Sequence, residues 1–237
     1  MVGCLAFLVH RWREPVPNGW LAAAALGSFL VVYPWHVATK LPAAEASYRV
    51  RDVVETVSAS AWADGAWTKV HATRSALDGE TGEPLAIQTD ITLPDLAGKL
   101  EKAGWSKGTV GWAAGILAAS LPSRGPIEGR AVLPVTDNGR LPVAIFTRDI
   151  GEGARLVLHA WPTDLAVGDG ASARPVLALS LTAEELDPLA AGYATVEGAG
   201  LRSAERDGAL EIIARALAAR RVHDATSSRT VRLAIAR

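Results

Sequence analysis

The sequence predicts an α+β protein in which an N-terminal transmembrane helix precedes a mixed, largely antiparallel sheet with helices packed on it. Three observations predict this class. No Asp, Glu, Lys or Arg occurs from Pro15 to Thr39. Several later stretches alternate apolar and polar residues at the period of a strand. The helical stripes between them occur singly, without the regular βαβ repeat of a parallel sheet.

The transmembrane helix is expected over residues 17–39. Its core, Trp20 to Ala38, would extend about 28 Å as a helix, close to the thickness of a hydrocarbon layer. Trp20 marks one end and Tyr33 and Trp35 the other, where amphipathic rings favour the membrane interface. Two readings compete with an anchor. A cleaved signal peptide would use Arg11 and Arg13 as its charged start and Ala44 to Ala46 near its cleavage site, but the apolar run exceeds the usual ~7–15 residues. A buried soluble helix fits less well, because apolar residues occupy every face. Residues 1–16 form a short apolar and basic segment, and the run Met1 to Val9 is too short to cross a bilayer alone and looks like the tail of an earlier, truncated segment. Arg11 and Arg13 bias the N-terminal side toward the cytoplasm, so a single-pass membrane protein with a periplasmic soluble domain is expected.

Residues 40–84 are expected to form a helical and loop connector. Val50, Val53, Val54, Val57 and Ala61 recur at helical spacing and predict a helix from Arg49 to Trp62, with Asp64-Gly65, Asp78-Gly79 and Gly82-Glu83-Pro84 as loop punctuation. The main domain, 85–237, opens with a strand at Leu85 to Asp90. Thr92 and Asp95 then resemble a capping box, Leu93, Leu96, Leu100 and Ala103 form a helical stripe, and Gly104 is a natural stop. Thr109 can cap a second helix running to about Ser120. Turn residues at Asp137-Asn138-Gly139 and Gly151-Glu152-Gly153 separate strands at Leu141 to Thr147 and Arg155 to Trp161. Further strands are expected at Pro175 to Leu181 and Arg229 to Ala236. Between them a helix starts at Ser203, buries Leu210, Ile213, Ala214 and Leu217, and ends near Arg220 and Arg221.

Composition narrows the function classes. The chain has 237 residues, 49% hydrophobic and 21% charged, with a formal net charge of −1, which gives no electrostatic reason to expect nucleic acid. The single cysteine, Cys4, excludes an intrachain disulfide and a multi-cysteine metal site.

Several weak motifs occur in a telling order. Pro84-Leu85-Ala86-Ile87-Gln88 precedes Leu96, Leu100 and Ala103-Gly104-Trp105; Leu133-Pro134-Val135 precedes Asn138-Gly139-Arg140 and Pro142; Arg155-Leu156-Val157-Leu158 leads to Trp161; and Arg174-Pro175 follows. Together with Trp62, Gly65 and Trp67 this order resembles the LssY C-terminal domain over about residues 55–185. The chain departs from that pattern at His159, where a second arginine is expected, and at Leu177, where an aromatic is common. The resemblance implies a domain often joined to multi-pass membrane modules, including type 2 phosphatidic acid phosphatases, with no activity assigned to the domain itself. The phosphatase motifs are absent: there is no Pro-Ser-Gly-His, Ser123-Arg124 and Ser228-Arg229 lack a suitable downstream histidine, and Arg174-Pro175 lacks an upstream lysine partner.

No residue is expected to be catalytic, to bind a cofactor or to ligate a metal. His71, His159 and His223 could pair with Asp64, Asp149 or Asp224 for acid–base work or zinc, but no two histidines share a short ligand motif. Gly151-Glu152-Gly153 and Gly168-Asp169-Gly170 fit turns better than phosphate cradles. Glu184, Glu185 and Asp187 fit a solvated helix start, and Trp105, Trp112 and Trp161 fit a core or a membrane surface. The expected function is an accessory or binding domain anchored in the bilayer, partnered by lipid or a membrane protein. The alternative is the C-terminal fragment of a lipid-phosphate phosphatase whose catalytic half is missing.

Overall fold

The computed structural model describes residues 27–28, 35, 54–76, 80–109, 122–133, 135–224 and 229–236. The elements below lie in the compact unit Val53–Arg237. In chain order they are β1 (Glu55–Val57), α1 (Ala59–Asp64), β2 (Thr73–Ser75), β3 (Thr81–Thr89), α2 (Leu93–Lys102), β4 (Ser106–Lys107), β5 (Ala144–Gly151), β6 (Ala154–Val167), β7 (Arg174–Pro188), β8 (Ala194–Ala199), α3 (Ser203–Ala216), β9 (Arg220–His223) and β10 (Thr230–Ala234).

This is a mostly-sheet fold, ten strands and three helices among the described residues, and it corrects the expected α+β architecture. No helix among the described residues is long and apolar enough to cross a membrane. The expected membrane helix at 17–39 and the expected helix from Thr109 to Ser120 fall almost wholly outside those residues. Nor do the helices share one face. α2 and α3 pack on one side of the sheet, while Trp62 of α1 and Trp67 of the following 3-10 turn pack on the other.

The long antiparallel hairpin of β6 and β7 is the axis of the sheet. Its register runs from Ala154 opposite Glu185 to Val167 opposite Arg174, with a bulge between Pro162 and Ala166. β5 and then β4 extend the sheet beyond β6, and β3, β10 and β9 extend it beyond β7, with β10 parallel to β3. Both faces of β6 are covered. Leu156, Leu158 and Ala160 point toward α2 and α3, and Val157 and Trp161 point the opposite way, as strand alternation requires. Two-sided burial explains why Arg155 to Trp161 is so nearly continuously apolar.

One irregularity of the sheet positions the candidate site. On the edge of β7 away from β6, β3 pairs with Leu177 to Ser180, and β8 takes over from Ala183 to Pro188. Leu181 and Thr182 belong to neither ladder. β3 and β8 therefore diverge there and leave an opening beside β7.

Several expectations change for identifiable reasons. The helix expected from Arg49 to Trp62 is, over its described part, strand β1 followed by the short helix α1. β-branched Val57 suits the extended backbone, and Ser58 starts the helix by accepting the Ala61 N–H. Gly82-Glu83-Pro84 lies inside β3 instead of closing a loop. Glu184, Glu185 and Asp187 lie on β7, not at a helix start. Arg220 and Arg221 lie on β9, because α3 ends earlier and Ala218 turns the chain with φ +53°. The strand expected at Leu141 to Thr147 begins at Ala144 and continues to Gly151.

The α2 helix follows its local signals. The Thr92 hydroxyl donates to the Asp95 carboxylate at 2.7 Å, Pro94 sits in the first turn, Leu96 and Leu100 are buried, and Gly104 leaves the helix at φ +81°. Thr92→Ala is expected to lower stability by about 1 kcal/mol, read from the midpoint of urea denaturation, with no change in its slope.

Candidate ligand pocket

A cavity of about 420 Å³ occupies the opening between β3 and β8. Its polar wall comes from four elements: Glu83 on β3, His159 on β6, Thr182 and Glu184 on β7, and Arg206 in the first turns of α3. Leu133, Val135, Leu181 and Leu201 supply apolar wall. The volume falls in the range of small-molecule sites, which commonly combine apolar surface with a few convergent polar groups.

His159 is the unusual member. It is 1% exposed, and neither Nδ1 nor Nε2 has a hydrogen-bond partner. Native structures rarely leave buried polar groups unpaired, and each unmade bond costs free energy. Ser180 stands opposite His159 in the ladder, yet no hydrogen bond joins them; its hydroxyl accepts from Trp161 Nε1 at 2.9 Å. The imidazole also stacks on Trp161, with ring centres 5.6 Å apart. Burial lowers the His159 pKa from 6.5 to about 4; the Glu83 carboxylate opposes that shift and the Arg74 guanidinium adds to it. The ring is therefore neutral near pH 7, with one N–H donor and one acceptor.

The two acids in the wall are neutralised. Arg74 Nε donates to Glu83 at 2.6 Å and Arg74 Nη1 donates to the Thr136 carbonyl at 2.7 Å. Burial raises the Glu83 pKa, but the Arg74 hydrogen bonds outweigh it and leave the carboxyl below its ordinary value. Glu184, 3% exposed, accepts from Arg155 Nε at 2.8 Å and from the Leu133 N–H at 2.8 Å. Arg155 also donates to the carbonyls of Ile127, Arg130 and Ala131. This buried pair ties the 127–133 segment to the sheet. Arg206 differs from both: among the described residues it forms no ion pair, and its buried Nε has no partner.

The pocket contains no nucleophile–base pair among the described residues. Among the described residues that line it, the one hydroxyl is that of Thr182, which donates to the Val157 carbonyl at 3.4 Å. Arg206 and His159 instead offer two donors and an acceptor, a binding arrangement.

The other residues weighed from sequence are dispersed. His71 Nε2 lies 2.8 Å from the Asp137 carboxylate, and His223 Nδ1 lies 3.1 Å from the Thr230 hydroxyl. Asp149 accepts from the Gly151 N–H within the hairpin turn, where Glu152 and both flanking glycines have positive φ. Asp64 closes α1, and Asp224 follows β9. Ser172, next to Gly168-Asp169-Gly170, donates back to the Asp169 carbonyl, a turn geometry. Arg174 bonds Asp90 at 2.6 Å, joining the start of β7 to the end of β3. Trp161 is core, as is Trp105; Trp112 is outside the described residues. No group of three or more His, Cys, Asp or Glu forms a candidate metal cluster among the described residues.

Sequence reasoning singled out His159 but not Glu83, Thr182 or Arg206 beside it. One signal was present: a histidine in the middle of a run buried on both faces must either be paired or face a cavity. A second cleft of about 740 Å³ lies between β4, β5 and the 128–132 segment, with Lys107, Arg148 and Asp149 in its wall. Its polar groups carry mixed charge.

No family model, curated protein or solved structure matches this chain.

Proposed function

We propose that this protein is a non-enzymatic binding protein that presents the His159 pocket to a small ligand at a membrane surface. One observation carries the binding reading: a buried, neutral imidazole with both nitrogens unpartnered forms part of the wall of a cavity of about 420 Å³. No hydroxyl among the described residues is hydrogen-bonded to the imidazole as a nucleophile would be to its base, which favours recognition over turnover. The membrane location is supported by the uncharged run from Pro15 to Thr39 and by the resemblance to the LssY C-terminal domain. Both the unmatched histidine and the departure from that family's pattern fall at the same position, which suits a ligand particular to this chain.

The test uses the full chain. Protein purified from the membrane fraction is denatured, and released small molecules are identified by mass spectrometry. A stoichiometric small molecule is expected, lost from His159→Leu protein that keeps the wild-type circular dichroism spectrum. Hydrolysis of phosphatidic acid by the purified chain, abolished by the same substitution, would contradict the reading.

A further inference from the structure

We propose that the pocket takes a small organic anion, its carboxylate or phosphate held by Arg206 and a second polar group held by His159. This rests on the binding reading and specifies its ligand. The charge distribution of the wall supports the choice. Glu83 is matched by Arg74 and Glu184 by Arg155, each through a direct hydrogen-bonded ion pair. Among the described residues Arg206 is the cation of the wall that has no carboxylate of its own, and its Nε is both buried and unpartnered. A buried guanidinium nitrogen in that state is stabilised by an anion more than by a neutral acceptor, since the attraction of opposite charges, stronger away from bulk water, adds to the hydrogen bond.

The backbone adds to this preference. Gly200 and Leu201 line the cavity immediately before α3 begins at Ser203, so the cavity borders the positive end of a helix of 14 residues. The helix end alone would not define a site, because Glu205 already lies in the first turn and pairs with Arg202. It acts together with two separate unpartnered groups, Arg206 Nε and the His159 ring. A neutral imidazole that can donate on one nitrogen and accept on the other suits a hydroxyl, which does both. Leu133, Val135, Leu181 and Leu201 would cover a short carbon chain between the two polar groups. The chemistry expected is that of a small hydroxy acid or a polyol phosphate ester.

Calorimetric titration of the full-length protein in detergent tests this with three probes: 3-hydroxybutyrate, glycerol 3-phosphate and uncharged 3-hydroxybutyramide. At least one of the two acids is expected to bind about tenfold or more tightly than the amide. Arg206→Gln should remove that preference, bringing the acid to the affinity of the amide, and Arg206→Lys should restore part of it. His159→Gln should weaken acid and amide by similar factors. Which acid binds distinguishes a carboxylate ligand from a phosphate ester. Failure of both acids to bind, an amide as tight as the acids, or an unchanged acid affinity in Arg206→Gln would overturn the proposal. Binding of the amide that depends on His159 would leave the binding reading standing while removing the anion.

Discussion

Glu184→Ala is expected to destabilise the domain by about 3–5 kcal/mol, the cost of leaving a buried charge without its partner. Arg155 is 1% exposed, and among the described residues Glu184 is its only carboxylate partner. Burial pushes the Glu184 carboxyl above its ordinary value, which shows how heavily desolvation weighs on this pair. Replacing both residues by apolar ones of similar size, Arg155→Met with Glu184→Leu, should recover part of the loss, since buried pairs often contribute little net stability. Recovery should be incomplete for a local reason. Arg155 also satisfies three carbonyls, and Glu184 satisfies the Leu133 N–H, so the double variant leaves those groups unpaired. Urea midpoints measure the first effect. Hydrogen exchange over residues 127–133 measures the second, and should be faster in the double variant than in the wild type. A single variant as stable as the wild type would show that the pair is not buried as described.

The second large effect is a dependence of stability on pH that traces to His159. Its pKa falls from 6.5 in the unfolded chain to about 4 in the folded one, because burial disfavours the charged ring. Between those values the unfolded chain binds a proton that the native state does not. The contribution is therefore complete above pH 6.5 and is lost as the pH falls toward 4, by about 3 kcal/mol in all. Glu83 and Asp137, whose pKa values lie below their ordinary 4.5 and 3.8, lose their own contributions only at still lower pH. Glu184, whose carboxyl burial holds above its ordinary 4.5, acts in the opposite sense as the pH falls toward 4.5, so the histidine's share is read as the difference between the wild type and a variant lacking it. Chemical denaturation over this pH range should show the decline in the wild type and a much flatter profile in His159→Leu. Equal slopes in the two proteins would place the titrating group elsewhere.

These effects arise where local pattern was least informative. The α2 helix was legible because every signal for it is local: a capping threonine, a leucine stripe and a glycine in the left-handed region. Leu85 to Asp90 and Arg229 to Ala236 were legible as strands for the same reason. The lengths of β6 and β7 were not, since both are covered on two faces and the alternation that marks a half-exposed strand is blurred. Glu184 misled for a related reason. Its acidic neighbours suggest a solvated helix start, and only Arg155, 29 residues earlier, explains why a carboxylate is buried there. The valines near Val57 mimic helical spacing, yet their branched side chains favour the strand that forms.

The pocket was legible in one residue only. His159 interrupts an apolar run, but its companions come from β3, β7 and α3, and they meet only because β3 and β8 separate along β7. Spacing along the chain carries no trace of that divergence. The same divergence makes Arg206 and His159 neighbours of one cavity rather than two isolated polar groups.

The most direct measurement is the nitrogen-15 spectrum of His159 in full-length protein labelled at histidine, assigned with His159→Gln and followed from pH 8 to 4. A ring that stays neutral down to about pH 4 in the free protein, and whose nitrogen shifts move when glycerol 3-phosphate or 3-hydroxybutyrate is added, is the predicted result. A ring that titrates near 6.5 and ignores both compounds would contradict the existence of a ligand-accepting site beside β7, between β3 and β8.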